Sequence, residues 1–213
     1  PHSGPEARKG FQMHIVPLTG VALPFGEATA RRGDALSARY GWQWVPFEVG
    51  LGAKIIDELY VGAYLNIGVG SEGSDIGTEK HCEAGNDVSD DVSCSALSIH
   101  AGVEARYNFM PAESMNPWVG YGVGVTTASQ YISDIDRYDE TSTVQGIDFA
   151  RLSGGLDFRF GRGFGLGPFA VVSVGRYTHE RTTINNIVTF SGDIDKPAMH
   201  TWVSVGLRMV ILP

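Results

Sequence analysis

Three kinds of group in this chain could do chemistry: histidines near acids and hydroxyls, charges set two residues apart, and a pair of cysteines. The candidate histidines are His14, His100, His179 and His200. A Ser–His–acid set can be drawn from Ser98, His100 and Glu104. Even spacing, two residues and then four, puts all three on one face of a strand, but neighbours two apart already lie roughly 7 Å from each other. That exceeds hydrogen-bond reach, so nothing here places a nucleophile beside a base. No catalytic residue is assigned, and no cofactor is expected.

The charges that alternate with apolar residues are Glu48, Glu104, Arg106, Asp157, Arg159 and Arg208. Both signs occur. Charges shielded from water need partners, so a paired, hydrogen-bonded network is expected on the sheltered side of whatever sheet carries them. Cys82 and Cys94 bracket the polar stretch EAGNDVSDDVS. Two lone cysteines in that setting predict a disulfide and an oxidising compartment. Closing such a loop is worth about 3 kcal/mol in the chain-entropy picture. Zinc would need more ligands than the neighbouring His81 supplies. Asp87, Asp90 and Asp91 lie in the same loop, and Asp134, Asp136, Asp139 and Glu140 in a later one. Carboxylate clusters can hold calcium, yet no D-x-[DN]-x-[DN]-G loop is present. A solvated acidic surface is expected, with no metal assigned.

The elements that position these groups are eight segments, most of them alternating apolar with small or polar residues. They run from about Phe11 to Leu23, Leu36 to Lys54, Leu59 to Gly70, Ser95 to Phe109, Pro117 to Tyr131, Val144 to Phe160, Pro168 to His179 and Met199 to Leu212. The fourth has the cleanest period of two. Leu97, Ile99, Ala101, Val103, Ala105, Tyr107 and Phe109 share one face, opposite Ser98, His100, Gly102, Glu104, Arg106 and Asn108. Pro17 inside the first segment marks a bulge. Short joints follow the second, fourth and sixth segments, and long polar loops follow the odd ones. Ile187–Phe190 in the last loop could extend the strands. No linker or second domain is visible.

This layout of strands, short turns and long loops is that of a transmembrane β-barrel. A soluble barrel would carry its charged face outward, and three features argue against that. The charged face is sparse and rich in glycine: Gly62, Gly68, Gly102, Gly155 and Gly206 would leave room in a narrow interior. Aromatic residues gather near segment ends. Tyr107, Phe109, Trp118, Phe158, Phe160 and Phe169 flank the short joints, and Tyr40, Trp42, Tyr131 and Tyr177 lie toward the long loops. The segments also exceed the usual globular strand length and suit a tilted bilayer crossing. No apolar run is long enough for a transmembrane helix. The net charge of −8 argues against nucleic acid. The chain opens in the polar stretch PHSGPEARKG with no signal peptide in view, and a cleaved or omitted one is expected.

On these features the chain resembles the small outer-membrane barrels typified by OmpA, OmpX and OmpW. The last segment also looks like the C-terminal assembly signal of such proteins, filled here by Ser204, Gly206, Met209 and Ile211, without the usual terminal aromatic. The resemblance implies an all-β, eight-stranded, antiparallel up-and-down barrel over residues 11–213, with residues 1–10 a periplasmic N-terminal segment. It implies insertion by the barrel-assembly machinery, both termini in the periplasm, long loops outside, and contact with outer-membrane lipid and lipopolysaccharide. The expected role is structural or surface recognition with a plugged interior, by a barrel that could serve as a subunit of an envelope complex. Alternatives are a narrow channel for small hydrophobic or ionic solutes, a lipid-modifying barrel enzyme, and a soluble lipocalin-like barrel. The last lacks its opening G-x-W in place and its C-terminal helix.

Overall fold

The computed structural model describes residues 10–16, 20–28, 35–43, 47–70, 92–134, 138–160 and 163–211. Its strands are β1 (Gly10–Val16), β2 (Val21–Gly26), β3 (Phe47–Lys54), β4 (Leu59–Gly70), β5 (Val92–Asn108), β6 (Met115–Asp134), β7 (Tyr138–Phe160), β8 (Phe164–Ile184), β9 (Ile187–Asp193) and β10 (Met199–Ile211). One short helix, α1 (Leu36–Tyr40), precedes β3. Every pairing is antiparallel.

Pairing runs from β1 through β3, β4, β5, β6, β7, β8 and β10, and β10 pairs with β1 again. Eight strand positions thus meet around a ring. β2 continues the position of β1, pairing with β10 from Val21↔Val205 to Gly26↔His200. β9 continues that of β10 above Met199, pairing only with β8. A ring of strands has no open edge to shield, which suits a bilayer where no water can satisfy a free edge.

The period of two holds round the wall. Val61, Leu65, Val103, Val119, Val123, Val125, Leu152, Val172, Val205 and Leu207 all stand exposed on the outside. Between them Tyr60, Tyr64, Asn66, Glu104, Arg106, Arg151, Ser173 and Arg208 are buried. An apolar exterior around a charged interior is the inverse of a soluble barrel, and the chain is a transmembrane β-barrel. Packing inside pairs large side chains with glycine. A Cβ on Gly124 would sit 2.5 Å from the Tyr64 hydroxyl, and one on Gly102 2.8 Å from it.

Several sequence expectations are corrected. The second segment is not a strand from Leu36: residues 36–40 form α1, and β3 begins only at Phe47. The third long loop is largely strand, because β6 runs to Asp134 and β7 starts at Tyr138. Of the aromatic belts, Tyr107, Phe109, Phe158 and Phe160 do face outward near the short joints, as do Trp42 and Tyr131 at the other end. Trp118, Phe169, Tyr40 and Tyr177 are buried inside instead, where they fill the lumen. Ile187–Phe190 does extend the sheet, as β9. The expected bulge at Pro17 and the segment 1–9 lie outside the described residues.

β6, β7 and β8 have 20, 23 and 21 residues. About 9–11 tilted residues cross a bilayer, so these three strands continue well beyond one crossing.

Candidate functional site

The buried polar residues form layers down the axis, and register fixes their order. β5 descends from the long-loop end with Ser98, His100, Glu104, Arg106 and Asn108 facing inward in turn. β10 descends beside the same lumen with His200, Trp202, Ser204 and Arg208.

The layer under α1 is largely apolar. Leu36 and Tyr40 of α1 pack with Ala22, Ala28, Ala96, Ala128, Val144, Tyr177 and Trp202. The helix forms here because Leu36 and Tyr40, four apart, share one face, and both are fully buried. Gly41 ends it at φ 47°, a conformation glycine adopts freely. The Tyr40 hydroxyl donates to the Ala128 carbonyl at 3.3 Å, and Trp202 Nε1 donates to the Tyr177 hydroxyl at 3.2 Å.

Below it, Asp148 stands between two imidazoles. Its carboxylate lies 2.7 Å from His100 Nδ1 and 3.1 Å from His200 Nε2. Tyr177 stacks on His200 with ring centres 4.1 Å apart, and Trp202 meets His100 edge-on at 5.5 Å. The β7 bulge between Asp148 and Ala150 makes this possible. The extra residue reverses the strand's facing, so Asp148 points inward above it and Arg151 inward below it.

The third layer crosses the barrel. Arg151 binds Glu48 on β3 and also reaches Glu104 at 3.4 Å, while Arg106 binds Glu104 and lies 4.0 Å from Glu48. Asn66 donates to Glu48 at 3.4 Å. Two guanidiniums thus alternate with two carboxylates, all nearly without solvent contact. Arg151 also lies over the Tyr64 ring at 4.2 Å. In the fourth layer Arg208 grips Asp157 through two parallel bonds, 2.9 and 2.6 Å, a bidentate geometry. Trp118 sits between layers, with Arg208 3.7 Å and Arg106 5.0 Å from its ring centre.

At the short-turn end, Lys54, Asn108, Asn116, Asp157 and Arg159 line a cavity of about 10 Å³, roughly the room of one water. Asn116 donates to Asn108 at 2.8 Å, and the Lys54 ammonium donates to the Asp57 carbonyl at 3.1 Å.

The structure therefore brings together Glu48, Glu104 and Arg106, and separately Asp157 and Arg208. Arg159 is half-buried near the rim, away from the crossing layer. Sequence reading missed Arg151, Asp148, Lys54 and the sharing of Asp148 by His100 and His200. Arg151 was legible: it shares the phase of Ser153 and Asp157. Asp148 was hidden by the bulge. Ser98, His100 and Glu104 do not work as a set. Ser98 donates to Gln43, His100 binds Asp148, and Glu104 binds arginines.

His179 sits outside, 3.1 Å from Asp193 and 3.2 Å from Ser191. The His14 side chain, Cys82, Asp87, Asp90, Asp91 and Asp136 lie outside the described residues, as does the Asp134 side chain. Cys94 lies near the start of β5. Asp139 is exposed and accepts from the Ser133 hydroxyl at 2.6 Å. Among the described residues no cluster of three His, Cys, Asp or Glu side chains is placed to hold a metal. Of the proposed assembly signal, Ser204 faces the lumen and Ile211 the exterior, with Gly206 and Met209 half-buried.

No family profile matches this sequence, and neither does any curated protein. Solved structures do match. A major outer membrane protein from Thermus thermophilus aligns over 94% of this chain and 99% of its own, at TM-score 0.51 and 11% identity. The outer membrane protein AlkL aligns over 100% and 95%, at 0.50 and 13%. Neisserial surface protein A aligns over 93% and 95%, at 0.46 and 14%. With the Thermus protein and AlkL the shared feature is the fold, that of the small outer-membrane β-barrels.

Proposed function

We propose that this chain is an outer-membrane barrel whose interior is plugged and whose work is structural or recognition at the surface. The observation that carries this is the crossing layer of Glu48, Arg151, Glu104 and Arg106, which ties β3, β5 and β7 together across the lumen. With Asp157–Arg208 below it, the charges are matched by close partners rather than by water. Breaking such buried pairs is costly, so a steady aqueous path is not the resting state. In this reading both termini are periplasmic and the long loops face outward, in contact with lipopolysaccharide or an envelope protein partner. The barrel-assembly machinery inserts the chain, using the β10 residues named above. Cys82 and Cys94 are joined, which an alkylating reagent would register by labelling neither until a reductant is added. In this reading the role is not catalytic: the Ser98 hydroxyl donates to Gln43 and not to His100.

Conductance in planar bilayers tests the plugged interior. Purified protein should give no steady openings; frequent, long-lived openings would replace this reading with that of a narrow channel. Isolation from envelopes in mild detergent tests the partner, and a barrel that purifies alone would remove it.

A further inference from the structure

We propose that α1 is a lid over a blind vestibule at the long-loop end, floored by the Glu48–Arg151–Glu104–Arg106 layer. The proposal rests on the plugged interior argued above, because without that floor the vestibule would be the mouth of a pore.

Four observations support it. First, α1 lies across the mouth but belongs to no ladder. Its backbone pairs with no strand; isolated bridges flank it, Glu27↔Ala35 before and Ala22↔Gln43 and Gln43↔Gly70 after, and an ion pair ties it to the wall, Arg39–Glu180 at 3.8 Å. Lifting it therefore breaks none of the barrel's strand pairing, and a helix of one turn has little stability apart from what it packs on. Second, the space it fills is lined by small side chains. Ala22, Ala96 and Ala128 surround Leu36 and Tyr40, so withdrawing those two side chains would leave a hollow between alanines, Trp202 and Tyr177.

Third, polar atoms in the upper lumen lack partners. Gln43 Nε2 and His200 Nδ1 are on residues with no exposed surface, and neither atom has a hydrogen-bond partner in the structure. Buried polar atoms are rarely left so, and a small neutral solute carrying hydrogen-bonding groups could satisfy them. A charged one is disfavoured, because Asp148 is already held by two imidazoles. Fourth, the path downward ends soon. Four residues below His100 on β5 lies Glu104, already bound to both arginines.

The test uses alkylation by N-ethylmaleimide, a small neutral planar reagent. In a folded, detergent-solubilised Cys82→Ser/Cys94→Ser background, Ser98→Cys reports the vestibule. Ser98 pairs in register with Ala128, the residue Tyr40 bonds. Ser153→Cys reports the lumen two residues below Arg151 on β7. Ser98→Cys should react slowly, and Tyr40→Ser should raise its rate at least about tenfold by removing a buried ring from the lid. Tyr40→Phe, which keeps the ring, should raise it much less, and Ser153→Cys should stay unlabelled throughout. Leu36→Ser replaces Tyr40→Ser if the latter does not give a heat-modifiable barrel. An unchanged Ser98→Cys rate in these lid variants overturns the lid. Labelling of Ser153→Cys alongside Ser98→Cys instead overturns the floor, and with it the plugged interior.

Discussion

Arg151 is the residue on which the crossing layer turns. It touches carboxylates from two different strands, Glu48 on β3 and Glu104 on β5, and rests on Tyr64 of the strand between them. Replacing it with methionine keeps much of the volume but takes from two buried carboxylates one of the two guanidiniums they share. Removing one partner of such a buried set costs about 3–5 kcal/mol. Arg151→Met should lower the unfolding free energy of the barrel, read from urea titration in micelles, by that measure, while Arg151→Lys should recover part of it by restoring charge without the planar fork. A loss within about 0.5 kcal/mol, as for an ordinary surface position, would show that the layer does not bear on stability. Much at this scale was legible from phase alone. Glu104 and Arg106 lie on the polar face of the cleanest alternation in the chain, and they do face inward. Asp148 was not legible, because one inserted residue on β7 swaps which parity faces the lumen, and nothing in the sequence marks where it falls.

The elements show where a period of two stops being informative. Within the bilayer, lipid outside and packing inside force opposite chemistry on alternate residues. Above it, water reaches the outside and the top, and strands no longer need to alternate. That is why Ile132–Asp134 and Tyr138–Thr143, polar for the most part, read as loop yet form the ends of β6 and β7. The reverse error occurred at Leu36–Tyr40, whose aromatic and aliphatic residues suggested strand although their spacing of four is helical. The β8–β9 hairpin is set by its turn. Asn185 and Asn186 have φ of 49° and 64°, the left-handed pair that a two-residue primed turn requires and that asparagine tolerates. Asn186→Val places a branched side chain where left-handed backbone costs about 1–2 kcal/mol. We expect β9 to become sensitive to protease while the barrel keeps its heat-modifiable shift on gels, and Asn186→Gly to leave both unchanged. Loss of the gel shift in Asn186→Val would mean that the hairpin and the membrane wall fold as one unit.

Across the whole molecule, the plugged interior proposed above makes the layers seals in series. A solute would have to pass Glu48–Arg151–Glu104–Arg106 and then Asp157–Arg208, with Trp118 held between Arg106 and Arg208. Seals in series conduct only when all are open, so one broken layer should not make a channel. Arg151→Ala alone should remain silent in planar bilayers, because Arg208 still grips Asp157 through two bonds. Arg208→Ala alone should also remain silent, because the upper carboxylates keep both of their arginines. The double variant removes a cation from each charged layer and leaves space for water beside Glu48 and Asp157, so it should conduct, with preference for cations, whenever α1 is lifted. Each protein is first checked for the heat-modifiable shift, so that silence is read only from folded barrels. Openings in either single variant would place the whole resistance in one layer. Silence in a folded double variant would move it to the apolar layer under α1, where Leu36, Tyr40 and Trp202 close the mouth.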